Sequence, residues 1–371
     1  MENQFKSVNF SNHAYVDFSK TLTKRVKAYF EERKISMHAN AKMVFKTIFM
    51  VLLYLVPFTL LFFIPSSWLS LLCWVIMGFG MAGIGLSIMH DANHGAYSTN
   101  SRVNYFLGAI INMIGGNPAN WRIQHNVLHH TYTNIDGYDE DITPPVKLLR
   151  FSPYSPWRKI HKFQYIYAWA FYSLMTVMWF SSKDFQQAIR YKKKGLSNTQ
   201  GINFNKHLRD IIFGKVFYIS VFVAVPMIFA PAYWYIQLIG FVVMQLLAGL
   251  ILASVFQPAH VVPTSSYDKP DDSGNVAADW KAHQLYNTAN FATNSRLFSW
   301  YVGGLNFQVE HHLFPNICHI HYKDISKIVE KTAKEFNLPY SNNRTFASAL
   351  GEHVKMLKML GREDCPRHVH I

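Results

Sequence analysis

The sequence predicts an all-α integral membrane protein: four transmembrane helices in two hairpins, interfacial and re-entrant helices, and a cytoplasmic helical cap holding a histidine-rich metal site. Three observations predict this. Half of the 371 residues are hydrophobic and only 16% are charged, against a usual quarter. Four apolar runs are long enough to cross a bilayer. Three clusters of histidine lie beside those runs rather than inside them.

Residues 1–42 form the first segment, with Lys20, Lys24, Arg25, Lys27, Arg33 and Lys34 set among Phe5, Phe10, Val26 and Phe30. That pattern predicts a partly amphipathic cytoplasmic helix lying against lipid headgroups. It contains no short apolar core with a cleavage site, so the chain is expected to start in the cytoplasm. The formal net charge of +14 gathers next to apolar spans and not in an aromatic-interleaved patch, which favours an anionic lipid surface over nucleic acid. Cys73, Cys318 and Cys365 are far apart and imply no disulfide framework.

A membrane domain is expected over 43–330. Runs at 44–64 and 68–89 are each sufficient for a hydrocarbon core of about 30 Å and form a hairpin across Pro65-Ser66-Ser67. Positive charge before the first run places the N-terminus inside, so the hairpin returns the chain to the cytoplasm. The stretch 103–116 is too short to span and ends in Gly-Gly-Asn-Pro, which predicts a buried or re-entrant helix. The stretch 163–180 carries Tyr165, Tyr167, Trp169, Tyr172 and Trp179 along its length and is read as interfacial. Parity supports that reading. Spans at 216–230 and 233–256 already supply an even number of crossings between the second and third histidine clusters. Lys192-Lys193-Lys194 agrees with a cytoplasmic loop before the second hairpin. Residues 331–371 form a cytoplasmic tail, whose His368 and His370 are read as solvated.

The clusters are His90-Asp-Ala-Asn-His94, His125-Asn-Val-Leu-His129-His130 and Gln308-Val-Glu-His311-His312. Spacings of three and four place side chains on one helical face. Neutral imidazole is the commonest protein ligand for metals, and a structural zinc needs only four ligands. Seven clustered histidines therefore point to two metal ions. Zinc has no redox chemistry, so a nitrogen-rich dinuclear site points to iron and dioxygen. Asp91, Asp139, Asp141 and Glu310 are candidate acceptors for the second N–H of a ligating imidazole. His260, at the end of the last span, reads as a helix-end cap or a ligand. His283, His319 and His321 are left as supporting or solvated residues.

The triplet HDANH, HNVLHH and QVEHH resembles the three histidine boxes of the membrane fatty acid desaturase superfamily. The segment GGLNFQVEHHLFP is similar to the front-end acyl desaturases, which insert a double bond between an existing one and the carboxyl end. Trp121 to Asp141, and Trp280, Gln284, Thr288 and Asn290, also match that family's text. The resemblance covers roughly residues 40 to 330. It implies that His90, His94, His125, His129, His130, His260, His311 and His312 ligate two irons, with Gln308 where many relatives carry another histidine. It implies an O2-dependent reaction on a fatty acyl chain carried as acyl-CoA, acyl carrier protein or phospholipid. The His-Pro-Gly-Gly haem motif of fused relatives is not found in the sequence, so a ferredoxin or cytochrome b5 is the expected electron donor. A fatty acid hydroxylase or sphingolipid-type desaturase on the same scaffold remains open, since the chemistries part only after hydrogen abstraction. A metal transporter fits less well, because its sites lie near the bilayer midplane.

Overall fold

The computed structural model describes residues 5–11, 14–144 and 147–366; His368 and His370 lie outside them. The principal helices are α1 (Val16–Arg33), α2 (Ala41–Leu60), α3 (Ser67–Asn93), α4 (Ser101–Ala109), α5 (Pro118–Arg122), α6 (Gln164–Ser173), α7 (Asp184–Lys193), α8 (Phe204–Phe229), α9 (Trp234–His260), α10 (Trp280–Asn287), α11 (Arg296–Tyr301), α12 (Gln308–Leu313), α13 (Tyr322–Glu335) and α14 (Phe346–Leu360). Four short strands, β1 (Asn9–Phe10), β2 (Asn275–Val276), β3 (Ala289–Phe291) and β4 (Ser341–Asn343), pair in parallel as β1 with β2 and β3 with β4. The chain folds into two compact units.

The first unit comprises residues 1–5, 40–123 and 169–253. It holds α2, α3, α8 and most of α9, the four helices among the described residues that are long and apolar enough to cross a membrane. Asn40 caps α2 by accepting from the backbone N–H of Lys42 and Met43. Phe45, Ile48, Leu52, Val56 and Leu60 recur at helical spacing along α2 and are all exposed, an apolar stripe suited to lipid. The opposite face packs on α3 closely enough that a Cβ at Gly80 would lie 2.8 Å from the Tyr54 backbone nitrogen. Two polar contacts join these helices to their neighbours: Trp74 donates to Gln237 at 2.9 Å, and Tyr54 donates to the Met113 carbonyl at 3.0 Å.

The stretch 103–116 is helical through Ala109, tightens into a 3-10 turn to Ile114, and stops at Gly115 with φ +85°. Lys215 of α8 holds that stop. Its ammonium donates to the Gly115 carbonyl at 2.7 Å, to the Trp179 carbonyl at 2.6 Å and to the Asp184 carboxylate. The stretch 163–180 is not one long helix: α6 ends at Ser173, a second short helix covers Met175–Met178, and a π-helical turn follows.

The second unit comprises residues 6–39, 124–168 and 254–371. Its core joins Phe18, Leu22, Val26 and Phe30 of α1 to Tyr322, Ile325 and Val329 of α13 and to Val309, Leu313 and Phe314 at and after α12. The apolar stripe of α1, expected against headgroups, is thus buried in protein. Arg150 binds α14 to the rest of the unit, donating to the carbonyls of Leu360 at 2.8 Å and Arg362 at 3.0 Å.

Candidate metal centre

His90 and His94 lie in the first unit at the end of α3, after a π-helical turn at Ile84–Ile88. Their ring centroids are 4.8 Å apart, and both meet the Trp121 ring edge-on at 5.4 and 5.6 Å. Asp91 reaches only to 4.0 Å from His90 Nδ1, beyond hydrogen-bond distance.

The other six histidines lie in the second unit, all buried. Box two does not continue the α-helix of α5. Ile123–His129 is a π-helix, and the His130 amide bonds to the His125 carbonyl five residues back at 2.9 Å. Of the expected i, i+4, i+5 set, the π-turn brings the i, i+5 rings of His125 and His130 to 4.7 Å, while the i, i+4 rings of His125 and His129 stack at 5.4 Å. Box three is helical as expected: Gln308, His311 and His312 all sit on α12.

Their nitrogens gather at two foci. At the first, His129, His260 and His312 each place one nitrogen within 4.8 Å of the others. At the second, His130 Nε2 lies 3.2 Å from His125 Nε2 and 2.9 Å from His311 Nε2.

Protein acceptors fix the outward nitrogens of four of these rings. His129 Nδ1 faces Asp139 at 3.1 Å and Asp141 at 3.4 Å. His260 Nδ1 donates to the Asn287 carbonyl at 3.2 Å, and His312 Nδ1 to Gln284 Oε1 at 2.9 Å. His311 Nδ1 lies 3.2 Å from the Tyr322 hydroxyl. The opposite nitrogens of His260 and His312, both Nε2, are buried without a hydrogen-bond partner. A ring tethered at Nδ1 and bare at Nε2 is the form a metal-ligating imidazole takes. The residues present therefore fit a metal.

Charge agrees with that fit. Burial, followed by the neighbouring His130, His260, His129 and His125, pushes His312 well below the ordinary imidazole pKa, so it is neutral at pH 7. Burial also opposes a proton on His129, but Asp139 and Asp141 outweigh it and raise its pKa to about 9. A cation is thus favoured beside those carboxylates, whether proton or metal.

Of the four acids expected to support the ligands, Asp139 and Asp141 contact a ring. Glu310 instead accepts from Tyr340 and Asn290, both at 2.9 Å, and burial raises its pKa to about 7. It ties α12 to β3 and the start of β4. Gln308 is buried, and its amide nitrogen has no hydrogen-bond partner among the described residues. His283 is also buried, held between the Thr133 carbonyl at 2.8 Å and Asp268 at 3.1 Å. His321 faces the His38 carbonyl at 3.3 Å.

Sequence reasoning missed the supporting roles of Gln284, Asn287 and Tyr322. Gln284 accepts from both Thr133 and His312 at 2.9 Å, joining boxes two and three through one amide oxygen. Its match to the family text is the only signal in the sequence that marks it.

Comparison with known proteins gives the same reading. The chain is 35% identical over 350 residues to an sn-1 linoleoyl-lipid 6-desaturase of Arthrospira platensis, covering 93% of each chain. It is 32% identical to the protein of that name from Synechocystis sp., covering 93% of this chain and 96% of the relative. It is 34% identical to an acyl-lipid (8-3)-desaturase of Physcomitrium patens, covering 97% of this chain and 75% of the relative. The fatty acid desaturase family model matches residues 65–344, three quarters of the sequence, and the chain belongs to the fatty acid desaturase family.

Proposed function

We propose that this protein is an O2-dependent, di-iron front-end acyl desaturase, acting on a lipid-linked fatty acyl chain and inserting a double bond on the carboxyl side of an existing one. The observation that carries the reading is the pair of nitrogen foci, His129, His260 and His312 at one and His125, His130 and His311 at the other. Two foci ask for two metal ions. The names of the relatives support the regiochemistry and the lipid-linked substrate. His90 and His94 enter as ligands on the family's motif, and Gln308 as a weaker oxygen ligand or a partner for metal-bound water.

When bound, iron and dioxygen supply the oxidising power to take two hydrogens from adjacent methylenes, which no side-chain acid or base can do. The protein's own residues do the rest. Asp139, Gln284, the Asn287 carbonyl and Tyr322 fix ring orientation and tautomer. Placement of the chain then selects which methylene reacts. The topology that goes with this reading has α2–α3 and α8–α9 as two hairpins, with both termini and the metal centre cytoplasmic. Residues 1–42, 43–330 and 331–371 serve as N-terminal segment, membrane domain and tail.

The test is expression in a host without polyunsaturated lipids, fed linoleate, with gas chromatography and mass spectrometry of the product and His312→Ala as control. A new double bond on the carboxyl side, absent in the variant, is expected. A hydroxylated product transfers the protein to the hydroxylase branch, and no product with iron bound and a reductase supplied refutes the reading for this substrate.

A further inference from the structure

One surface feature of the second unit is not used by the site. A groove of about 540 Å³ runs along α1, lined by Lys20, Lys24, Lys27 and Thr23 on that helix and by Asp279 and Lys281 at the start of α10. The three α1 lysines recur at helical spacing and are exposed. Lys20 and Lys24 have no acidic partner among the described residues, and Lys27 has only Glu31 at 3.5 Å. Asp279 is committed elsewhere: it caps α10 by accepting from the Lys281 and Ala282 amides and takes the Ser19 hydroxyl at 3.2 Å. Lys281 forms the floor, donating to Thr23 and lying 5.4 Å over the Phe314 ring.

Two facts decide what such a groove receives. A helix that lies on headgroups needs a free apolar face, and the one on α1 is already buried in the core through Phe18, Leu22, Val26 and Phe30. The groove also adjoins the metal centre. Lys281 precedes Gln284 by three residues on α10, about 4.5 Å along the axis, and Gln284 holds His312. Phe314 follows His312 by two residues. A partner seated here is one helical turn from a residue bonded to a proposed ligand.

We propose that the α1 lysine groove is the docking surface for an acidic, one-electron carrier protein that reduces the metal centre; this rests on the desaturase reading above. Desaturation removes two hydrogens from the acyl chain, giving two electrons and two protons. Reducing dioxygen to two waters takes four of each, so solvent supplies two protons and the carrier two electrons, one per visit. Lysines at the rim set encounter rate and salt dependence, the behaviour expected of a repeated short-lived contact.

The test uses the purified holoenzyme in nanodiscs of phosphatidylcholine, alone or with phosphatidylserine. Binding of a plant-type [2Fe–2S] ferredoxin and of the soluble cytochrome b5 haem domain is measured by thermophoresis at several salt concentrations. In the triple variant Lys20→Glu, Lys24→Glu, Lys27→Glu, binding of at least one carrier is expected to weaken about tenfold or more and to lose its salt dependence. The matching triple arginine variant is expected to bind as wild type. Dithionite-driven turnover, in which the enzyme is reduced anaerobically with stoichiometric dithionite before O2 is admitted, bypasses the carrier and is expected to persist. Unchanged carrier binding in the glutamate variant overturns the proposal. So does a parallel loss of dithionite-driven turnover, which marks general damage, or an effect confined to phosphatidylserine discs, which assigns the groove to lipid headgroups. Absence of dithionite-driven product in the wild type itself sinks the desaturase reading and takes this proposal with it.

Discussion

At His312 the chain meets two requirements with one side chain. Nδ1 is held by Gln284 and Nε2 is left bare in a buried setting among other imidazoles. Gln284→Leu keeps roughly the same volume but removes the acceptor for both His312 and Thr133. The expected result is a 10- to 100-fold loss of metal affinity with the protein still folded, read as iron content after dialysis against a graded chelator; wild-type retention of iron would show that Gln284 is dispensable. A second residue gives a pH signature. His353 of α14 is fully buried and bonds the Val261 carbonyl, next to His260, at 2.8 Å. Burial, partly offset by that bond, lowers its pKa to about 4. The unfolded chain therefore binds a proton that the folded one refuses between pH 6.5 and 4, so stability is full above 6.5 and falls as pH drops through that window. Thermal unfolding across the window, in wild type and His353→Leu, is expected to show a shallower acid slope in the variant; identical slopes would refute the assignment.

The elements that carry the site show how much a sequence reveals. Box three was legible because its i, i+3, i+4 spacing is realised by the plain helix α12. Box two was only half legible. Its residues announce themselves, yet the π-helix that brings His125 and His130 into line is maintained by contacts that a spacing rule does not contain. Gln284 and Tyr322 were invisible as supports because they arrive from 28 and 11 residues away from the rings they hold. Glu310 misled for the opposite reason: it lies next to His311 in sequence, but on the helix its carboxylate turns to Tyr340 and Asn290. The Gly303-Gly304 pair before box three has a physical cause. Both have φ near +65°, and a Cβ on Gly304 would lie 3.0 Å from His319 Cβ. Gly304→Ala is expected to cost about 1–2 kcal/mol from backbone strain alone, seen as a lowered unfolding temperature and reduced iron occupancy; an unchanged protein would mean that the turn relaxes freely.

Across the molecule, composition located the four apolar helices found among the described residues; α3, α8 and α9 continue through polar residues that the hydropathy pattern excludes, while α2 stops at Leu60, short of the expected residue 64. The last of the four runs through Pro258 to His260, which places that histidine at the helix terminus, as its reading at the end of the last span expects. The proposed topology is testable with an introduced cysteine, since Cys73, Cys318 and Cys365 are all buried. Ser66→Cys, between α2 and α3, is expected to react with an impermeant maleimide only from outside the cell, and Ser273→Cys only after the membrane is opened. The reverse pattern would invert the topology.

The central claim is that the histidine foci hold two irons, and metal stoichiometry tests it most directly. The purified protein, analysed by inductively coupled plasma mass spectrometry, is expected to carry two iron atoms per chain, falling sharply in His312→Ala. One zinc per chain with no iron, or two irons undisturbed by His312→Ala, would contradict the account.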